Sequence, residues 1–224
     1  MPDMVKRFAN CHRGETCVII GNGPSLNSTP LDRFERKYIT FGSNRIFDLP
    51  FTPIYYCIVD ELMLKDCVPL PSDFKPVDMF LRAEACVHNN NPIYPINVSG
   101  FSPNPANFVV LGGTVTYVML QLAFFMDFKT VLLVGVDHNY PKSGKLEQGL
   151  YFVAGKDDPD HFKTKDGSPY FRKGKQYSAP ALQSTTESYK VARTFYEKFG
   201  KRIVNLTPGT KLDVFEKGTF DQWI

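Results

Sequence analysis

The stretch CVIIGNGPSLN, from Cys17 to Asn27, decides the fold and the function that the sequence predicts. Its first four residues are apolar, as is typical of a buried strand in a parallel sheet. The segment Gly21–Ser25 that follows contains two glycines, which allow a tight turn into a short helix. Backbone N–H groups at such a turn suit the binding of a phosphate group.

A turn that only connects a strand to a helix fits the same residues. Gly21 and Gly23 match the G-x-G part of the dinucleotide-binding motif, but Leu26 stands at the position of its third glycine. The lysine that follows the glycines of a P-loop is also missing from this stretch. The spacing alone therefore leaves two interpretations open, nucleotide binding and a plain turn.

The composition is that of a globular protein. The chain has 224 residues, a net charge of +3 and no run of basic residues, so nucleic acid is not the expected partner. The N-terminus lacks the apolar core of a signal peptide, and the longest apolar stretch, Val115–Met126, is too short to span a bilayer. We expect one α/β domain over residues 1–224, with reduced cysteine thiols in a cytoplasmic protein.

Predicted strands alternate with predicted helices along the chain. This order favours a Rossmann-like α/β fold with a mostly parallel sheet and flanking helices. Strands are predicted at 17–20, 38–42, 54–59, 77–81, 131–134 and 203–206, a long loop at 88–107, and helices at 112–126 and 180–199. Ligands of such folds lie beyond the carboxyl ends of the strands. The polar residues predicted at those ends are Asn22, Ser25, Asn44, Asp60, Glu61, Thr114, Asp137 and His138.

Residues 139–179, called the lid segment below, differ from the rest of the chain. They are polar and rich in glycine and lysine, with seven scattered aromatic residues. A loop of this length inside a domain is typical of a lid over an active site. We expect the lid segment to be mobile without ligand and to become ordered over a bound nucleotide.

The order of the motifs resembles a known family. The motif GNGPSL, a strand ending at Asn44, a strand ending at Asp60, G-G-T before a buried helix and then GVD are similar to the bacterial sialyltransferases of glycosyltransferase family 42. They also resemble related bacterial proteins grouped with the archaeal 6-hydroxymethylpterin pyrophosphokinase. The resemblance covers roughly Gly14 to Gly209. It implies a glycosyltransferase that takes a CMP-sialic acid-like donor and a glycan or glycolipid acceptor.

The resemblance also implies roles for individual residues. Together with the turn after the first strand and the polar strand ends, it gives the predicted nucleotide-binding residues Gly21, Asn22, Gly23, Ser25, Asn44, Asp60, Thr114, Gly135 and Asp137. Tyr140 matches a tyrosine that contacts the leaving phosphate in the family. Asp60 departs from the family, which has an asparagine there, and its carboxylate suits either ribose hydroxyls or a metal ion.

A second departure concerns the catalytic base. The family places a histidine at the end of the lid, where this chain has Gln176–Ser178. His161, inside the lid segment, is the first candidate to replace it, and His138 is the second. Histidine suits this role because its ordinary pKa lies near neutral pH.

Three functions remain open at the level of the sequence. The first is a glycosyltransferase that needs no metal and no cofactor. The second is a pyrophosphokinase-like enzyme that uses ATP and Mg²⁺, which the carboxylates of Asp60, Glu61 and Asp137 would favour. The third is a protein that binds a nucleotide or a glycan without catalysis. A homo-oligomer and a peripheral position at the inner face of the membrane also remain open.

Overall fold

The computed structural model of the chain describes residues 3–85, 90–139, 151–154, 161–179 and 181–224. Its strands are β1 Thr16–Ile20, β2 Ile39–Ser43, β3 Tyr55–Ile58, β4 Asp78–Arg82, β5 Asn91–Ile93, β6 Pro95–Ile96, β7 Val109–Val110, β8 Thr130–Val134, β9 Tyr151–Val153, β10 Gln176–Ser178, β11 Arg202–Asn205 and β12 Glu216–Lys217. Its α-helices are α1 Asp3–Lys6, α2 Leu31–Glu35, α3 Glu61–Cys67, α4 Val115–Phe125 and α5 Leu182–Lys198. Short 3-10 helices lie at Pro24–Ser28, Asn44–Asp48, Ala83–Ala85 and Phe220–Gln222. Of the helices in these ranges, none has both the length and the apolar composition that crossing a bilayer requires.

Eight of the described strands form the central sheet, in the order β12-β11-β8-β1-β2-β3-β4-β5. Every neighbouring pair in it is parallel. The α/β fold with a mostly parallel sheet and flanking helices is thereby confirmed. The strand order reverses at β1, because β2 pairs with one of its edges and β8 with the other. Ligands of such sheets bind in the crevice at that reversal.

Strand β1 is buried on both faces of the sheet, which explains its unbroken apolar sequence. Cys17 and Ile19 pack into the core that contains α4 and α5, whereas Val18 and Ile20 pack into the core that contains α2 and α3. All four side chains are fully buried. Because neither face meets water, the strand shows no alternation of apolar and polar residues.

Helix α4 contains a fully buried side-chain amide, that of Gln121. The Gln121 Oε1 atom accepts hydrogen bonds from the N–H groups of Ser102 at 3.1 Å and Val110 at 2.9 Å. Its Nε2 atom donates to the carbonyls of Val110 at 2.8 Å and Tyr117 at 3.1 Å. These four bonds fasten the segment that leads into α4, and the start of α4 borders the candidate site.

The segment predicted as a loop at 88–107 contains short strands where it is described. β5 joins the edge of the central sheet beside β4, and β6 pairs with β7 in a separate two-stranded sheet. Asn91 and Pro92 of β5 are unfavourable in strand interiors but tolerated at sheet edges. Strands of two or three residues are also too short to show a period of two, so the sequence did not predict them.

The described part of the lid segment is folded against the body of the protein. It contains an antiparallel ribbon of β9 and β10. The aromatic side chains of Phe162 and Tyr177 are each 1 % exposed and pack into the core on the α2 and α3 side. The expectation that this segment opens and closes with nucleotide stays a prediction.

Gln121→Leu is expected to lower the free energy of unfolding by about 2–4 kcal/mol, because two buried N–H groups lose their acceptor. Urea denaturation measures this change. Gln183→Leu, at an exposed position of α5, is the matched control and should stay within about 0.5 kcal/mol of the wild-type value. Equal stability of the two variants would show that the buried amide does not hold the segment before α4.

Candidate nucleotide-binding site

The turn after β1 lies directly against the turn after β8, where the strand order reverses. The Gly21 N–H donates to the Val134 carbonyl at 2.8 Å, and the Gly23 N–H donates to the Gly135 carbonyl at 2.9 Å. A Cβ atom on Gly21 would lie 2.3 Å from the Gly135 carbonyl oxygen. Glycine is therefore required for the packing of two backbone turns, with or without a ligand.

Asp137 holds the turn after β1 through two hydrogen bonds from Ser25. Ser25 donates its backbone N–H to Oδ1 at 3.1 Å and its hydroxyl to Oδ2 at 2.8 Å. A Cβ atom on Gly23 would lie 1.8 Å from the same Oδ2. The Asp137 carbonyl accepts from the Lys211 N–H at 2.9 Å, so the chain after β11 fixes the backbone beside this carboxylate.

These contacts change what the turn offers to a ligand. The N–H groups of Gly21, Gly23 and Ser25 all donate within the protein. While those bonds hold, these N–H groups are not available to a phosphate group. The glycine pattern in the sequence does not reveal these internal bonds. The nucleotide-binding roles of these residues, of Gly135 and of Asp137 stay predictions.

A cleft of about 1510 Å³ opens beyond the carboxyl ends of the central strands. Ten of the predicted site residues line it: Gly21, Asn22, Gly23, Asn44, Asp60, Thr114, Gly135, Asp137, His138 and His161. Ser25 is not among the lining residues, and Tyr140 lies outside the described residues. The structure thus brings residues from six separate segments of the chain to one cavity.

Two asparagines that line the cleft carry buried oxygen atoms without a partner. Asn22 donates its Nδ2 to the Ser43 hydroxyl at 3.0 Å. Asn44 has a left-handed backbone with a φ of 51°, which asparagine tolerates, and its carbonyl accepts from the Tyr56 hydroxyl at 2.5 Å. The Oδ1 atoms of both asparagines are buried and have no hydrogen-bond partner among the described residues. Because a buried acceptor without a donor is costly, each oxygen is suited to accept from a ligand.

Asp60 joins α3 to the lid segment. Its Oδ1 accepts from the Met63 N–H at 2.8 Å as the N-cap of α3, and its Oδ2 accepts from the Ser178 hydroxyl at 2.5 Å. The neighbouring Glu61 pairs with Arg82 at 2.8 Å. In the described part of the chain, no group of three or more histidine, cysteine, aspartate and glutamate side chains is arranged to hold a metal ion.

The starts of α4 and α5 lie side by side on one wall of the cleft. Thr114 is the N-cap of α4, and its hydroxyl oxygen accepts from the Thr116 N–H at 3.3 Å. Gly113 has a φ of 77°, and a Cβ atom there would lie 2.6 Å from the Thr185 hydroxyl of α5. A glycine is therefore needed where the two helices approach.

His138 lies on the same wall as α5. Its Nε2 atom is 2.9 Å from the Thr186 hydroxyl oxygen, and its ring meets the Tyr189 ring edge-on with centroids 6.1 Å apart. Burial lowers the pKa of His138 from its usual value. The imidazole is therefore neutral at pH 7, the form that can accept a proton.

His161 reaches the cleft from the lid segment. Its ring stacks on Tyr170 with centroids 4.2 Å apart and meets Phe171 edge-on at 4.6 Å. The next residue, Phe162, donates its N–H to the Asn22 carbonyl at 3.1 Å. Both histidine candidates thus line the cleft, one on the body and one on the lid segment.

A buried carboxylate in α3 fastens the lid segment to the body. The Asp66 side chain is 2 % exposed; it accepts from the Lys175 ammonium at 2.6 Å and from the Tyr177 hydroxyl at 3.1 Å. Arg172 lies 3.5 Å away and Arg45 lies 3.9 Å away. Three cations therefore surround one buried anion, two of them contributed by the lid segment.

Arg45 connects this network to the cleft, since it follows Asn44 directly. Its guanidinium pairs with Asp48 at 2.5 Å and donates to the Tyr170 carbonyl. Neither Arg45 nor Asp66 is among the site residues predicted from the sequence. Arg45 follows the polar Asn44, and Asp66 follows the exposed Lys65 in LMLKDC, so no local pattern separates these two buried charges from solvated ones.

Asp66→Asn is expected to lower the stability of the lid contact by about 1.5–3 kcal/mol, because Lys175 and Tyr177 of the lid segment lose their hydrogen bonds to a charged acceptor. Hydrogen exchange followed by mass spectrometry should show that residues 161–179 exchange faster in Asp66→Asn than in the wild-type protein, while the central strands exchange at the wild-type rate. The exposed Asp73→Asn is the matched control and should leave exchange unchanged. If residues 161–179 exchange at the same rate in Asp66→Asn as in the wild-type protein, Asp66 does not fasten the lid segment.

Neither a protein-family profile nor a curated protein sequence matches the chain. Its structure is similar to that of the sialyltransferase CstII from Campylobacter jejuni in complex with a substrate analogue, cytidine-5'-monophosphate, with a TM-score of 0.50 and 14 % identity over 92 % of this chain and 85 % of the other. A second match, the epimerase Mth375 from Methanothermobacter thermautotrophicus, has a TM-score of 0.32 and 11 % identity, and it covers 90 % of this chain and 53 % of that chain. The first likeness confirms the predicted Rossmann-like α/β architecture.

Proposed function

We propose that the protein is a glycosyltransferase that uses a nucleotide-sugar donor of the CMP-sialic acid type and transfers the sugar to a glycan. The observation that carries the proposal is the pair of buried Oδ1 atoms on Asn22 and Asn44 in the cleft where the strand order reverses. A nucleotide offers the donors that these acceptors lack, from the amino group of its base and from its ribose hydroxyls. The likeness in fold to a sialyltransferase adds support.

Sugar transfer requires a held nucleotide, a stabilised leaving phosphate and an acceptor hydroxyl that loses its proton. The proposal assigns the leaving phosphate to Tyr140, outside the described residues, and to Tyr151, which lines the cleft. It assigns the proton to a histidine, either His138 or His161. Both lie within the same cavity as the two asparagines.

The proposed reaction uses no metal ion. The three carboxylates that favour a magnesium site are engaged with protein partners: Asp60 with Met63 and Ser178, Glu61 with Arg82, and Asp137 with Ser25. A pyrophosphokinase-like enzyme would have to exchange these partners for Mg²⁺. Nucleotide binding measured with and without Mg²⁺ distinguishes the two enzymes.

The acceptor of the proposed reaction is a glycan or a glycolipid. Support comes from the size of the cleft, which continues past the asparagines to residues 97–100 and to the exposed side of α5. Polar side chains such as Asn97, Ser99 and Gln183 line this part and suit sugar hydroxyls. We also propose that the protein is cytoplasmic and that it works at the inner face of the membrane when its acceptor is linked to a lipid.

A thermal-shift series with CMP, UDP, GDP and ATP, each with and without Mg²⁺, tests the nucleotide. A ligand at a hundred times its Kd adds about 2.7 kcal/mol of stability. The largest shift is expected for CMP, with no dependence on Mg²⁺. A shift for ATP that requires Mg²⁺ would favour the pyrophosphokinase-like alternative, and no shift for any of the four would contradict the nucleotide site.

Asn44→Gly is expected to weaken CMP binding by roughly tenfold, because one hydrogen bond to the nucleotide is lost. Glycine accepts the left-handed backbone at this position, where φ is 51°. Asn10→Gly is the matched control: Asn10 also has a left-handed backbone, with a φ of 58°, but it is exposed and does not line the cleft. Isothermal titration of both variants measures the effect, and equal affinity in the two would rule out the role of Asn44.

Asp60→Asn is expected to fold normally and to keep transfer activity within about threefold of the wild-type rate, because asparagine is also a good N-cap. Its amide can donate to the Ser178 oxygen in place of accepting from it. Turnover with and without Mg²⁺ is the measurement. An activity that needs Mg²⁺ and disappears in Asp60→Asn would turn the assignment to a metal-dependent enzyme.

A further inference from the structure

The hydrogen bonds around His138 determine which of its ring nitrogens carries a proton. The Thr186 hydroxyl has a single hydrogen, and it donates this hydrogen to the Leu182 carbonyl at 2.7 Å. Its oxygen is therefore an acceptor toward His138 Nε2, 2.9 Å away. Nε2 must then carry the ring hydrogen, and in the neutral ring Nδ1 keeps a lone pair.

The backbone at His138 is also held in an uncommon conformation. Its φ of 53° lies in the left-handed region, which non-glycine residues seldom adopt. The residue before it, Asp137, is fixed by Ser25 and by the Lys211 N–H. Conformations of this kind persist where the surroundings impose them, and they concentrate at functional sites.

We propose that Thr186 is a positioning residue that keeps neutral His138 in its Nε2–H tautomer and so makes Nδ1 the atom that takes the proton from the acceptor hydroxyl. The inference rests on the proposed glycosyltransferase function. It adds to that function the identity of the base, His138 in place of His161, and the residue of α5 that positions it, Thr186.

The surroundings of His138 are consistent with a neutral base. Burial lowers its pKa, so the proton-accepting form is populated at pH 7. The titratable and charged residues that line the same cleft are Asp60, Glu61, Lys65, Arg82, Asp137, Tyr151, His161, Tyr170, Tyr177, Glu187 and Tyr189. Of these, Tyr189 contacts the ring through its aromatic edge.

The proposed step transfers the sugar from the nucleotide to the acceptor hydroxyl. The O–H bond of the acceptor breaks, its proton goes to His138 Nδ1, and the acceptor oxygen forms a bond to the anomeric carbon of the sugar. The bond from that carbon to the phosphate oxygen breaks, and its electron pair leaves with the nucleotide. The resulting imidazolium keeps its Nε2–H on the Thr186 oxygen and later releases the Nδ1 proton to water.

A long-range ¹H–¹⁵N spectrum of the imidazole rings tests the tautomer without any need for activity. The chain has four histidines, and the His138 signals are assigned by their loss in His138→Gln. The wild-type protein and Thr186→Ser are expected to show the Nε2–H form at pH 7.5. Thr186→Val, which lacks the acceptor oxygen, should show a mixture of the two tautomers.

Transfer kinetics test the consequence for the reaction. His138→Gln should lower kcat by about a hundred- to ten-thousand-fold. Thr186→Val should lower it by about threefold to tenfold, with the KM for the donor unchanged. The acid limb of its pH profile should move to lower pH, because the imidazolium loses an acceptor. Thr194→Val is the matched control, since Thr194 makes the same bond within α5, to the Lys190 carbonyl, at an exposed position.

Three results would overturn the inference. The first is an Nδ1–H signal for His138 in the wild-type protein. The second is a Thr186→Val variant that keeps the wild-type tautomer and turnover, and the third is a larger loss of kcat in His161→Ala than in His138→Gln. The absence of transfer from every nucleotide-sugar donor, with the expected Nε2–H signal present, would instead overturn the glycosyltransferase proposal and the base role, leaving the tautomer assignment in place.

Discussion

The contact between the turn after β1 and the turn after β8 is the constraint on which the candidate site depends. Two backbone hydrogen bonds and the carboxylate of Asp137 hold these turns together, and no side chain fits between them at Gly21 or Gly23. This contact sets the floor of the cleft, from which Asn22 and His138 extend. The glycine pattern that suggests a nucleotide loop is thus explained first by packing and only then by a ligand.

The sheet and the position of the cleft could be predicted from the sequence. Strands such as β1 and β8 are buried on both faces, so they appear as unbroken apolar runs that end in glycine. The polar residues after them, Asn22 and Asp137, come together because parallel strands end at the same edge of the sheet. The strand order itself needed the structure, since it depends on pairings between distant segments.

Other features could not be predicted because they depend on long-range contacts between single residues. Asp66 and Lys175 are 109 positions apart, and Gln121 satisfies backbone groups of Ser102 and of Val110 in β7, which no local pattern brings to α4. The short strands β9 and β10 lie in a polar segment, and they form because Phe152 and Tyr177 turn one side of the ribbon to the core. Local propensity carries no information of this kind.

The adjacency of Asp137 and His138 has a mechanical consequence. The carboxylate of Asp137 accepts hydrogen bonds from the turn after β1, and the next residue carries the imidazole on the wall of the cleft. The left-handed φ of His138 restricts the backbone conformation between the two side chains. The position of the turn after β1 is therefore linked through Asp137 to the backbone of His138.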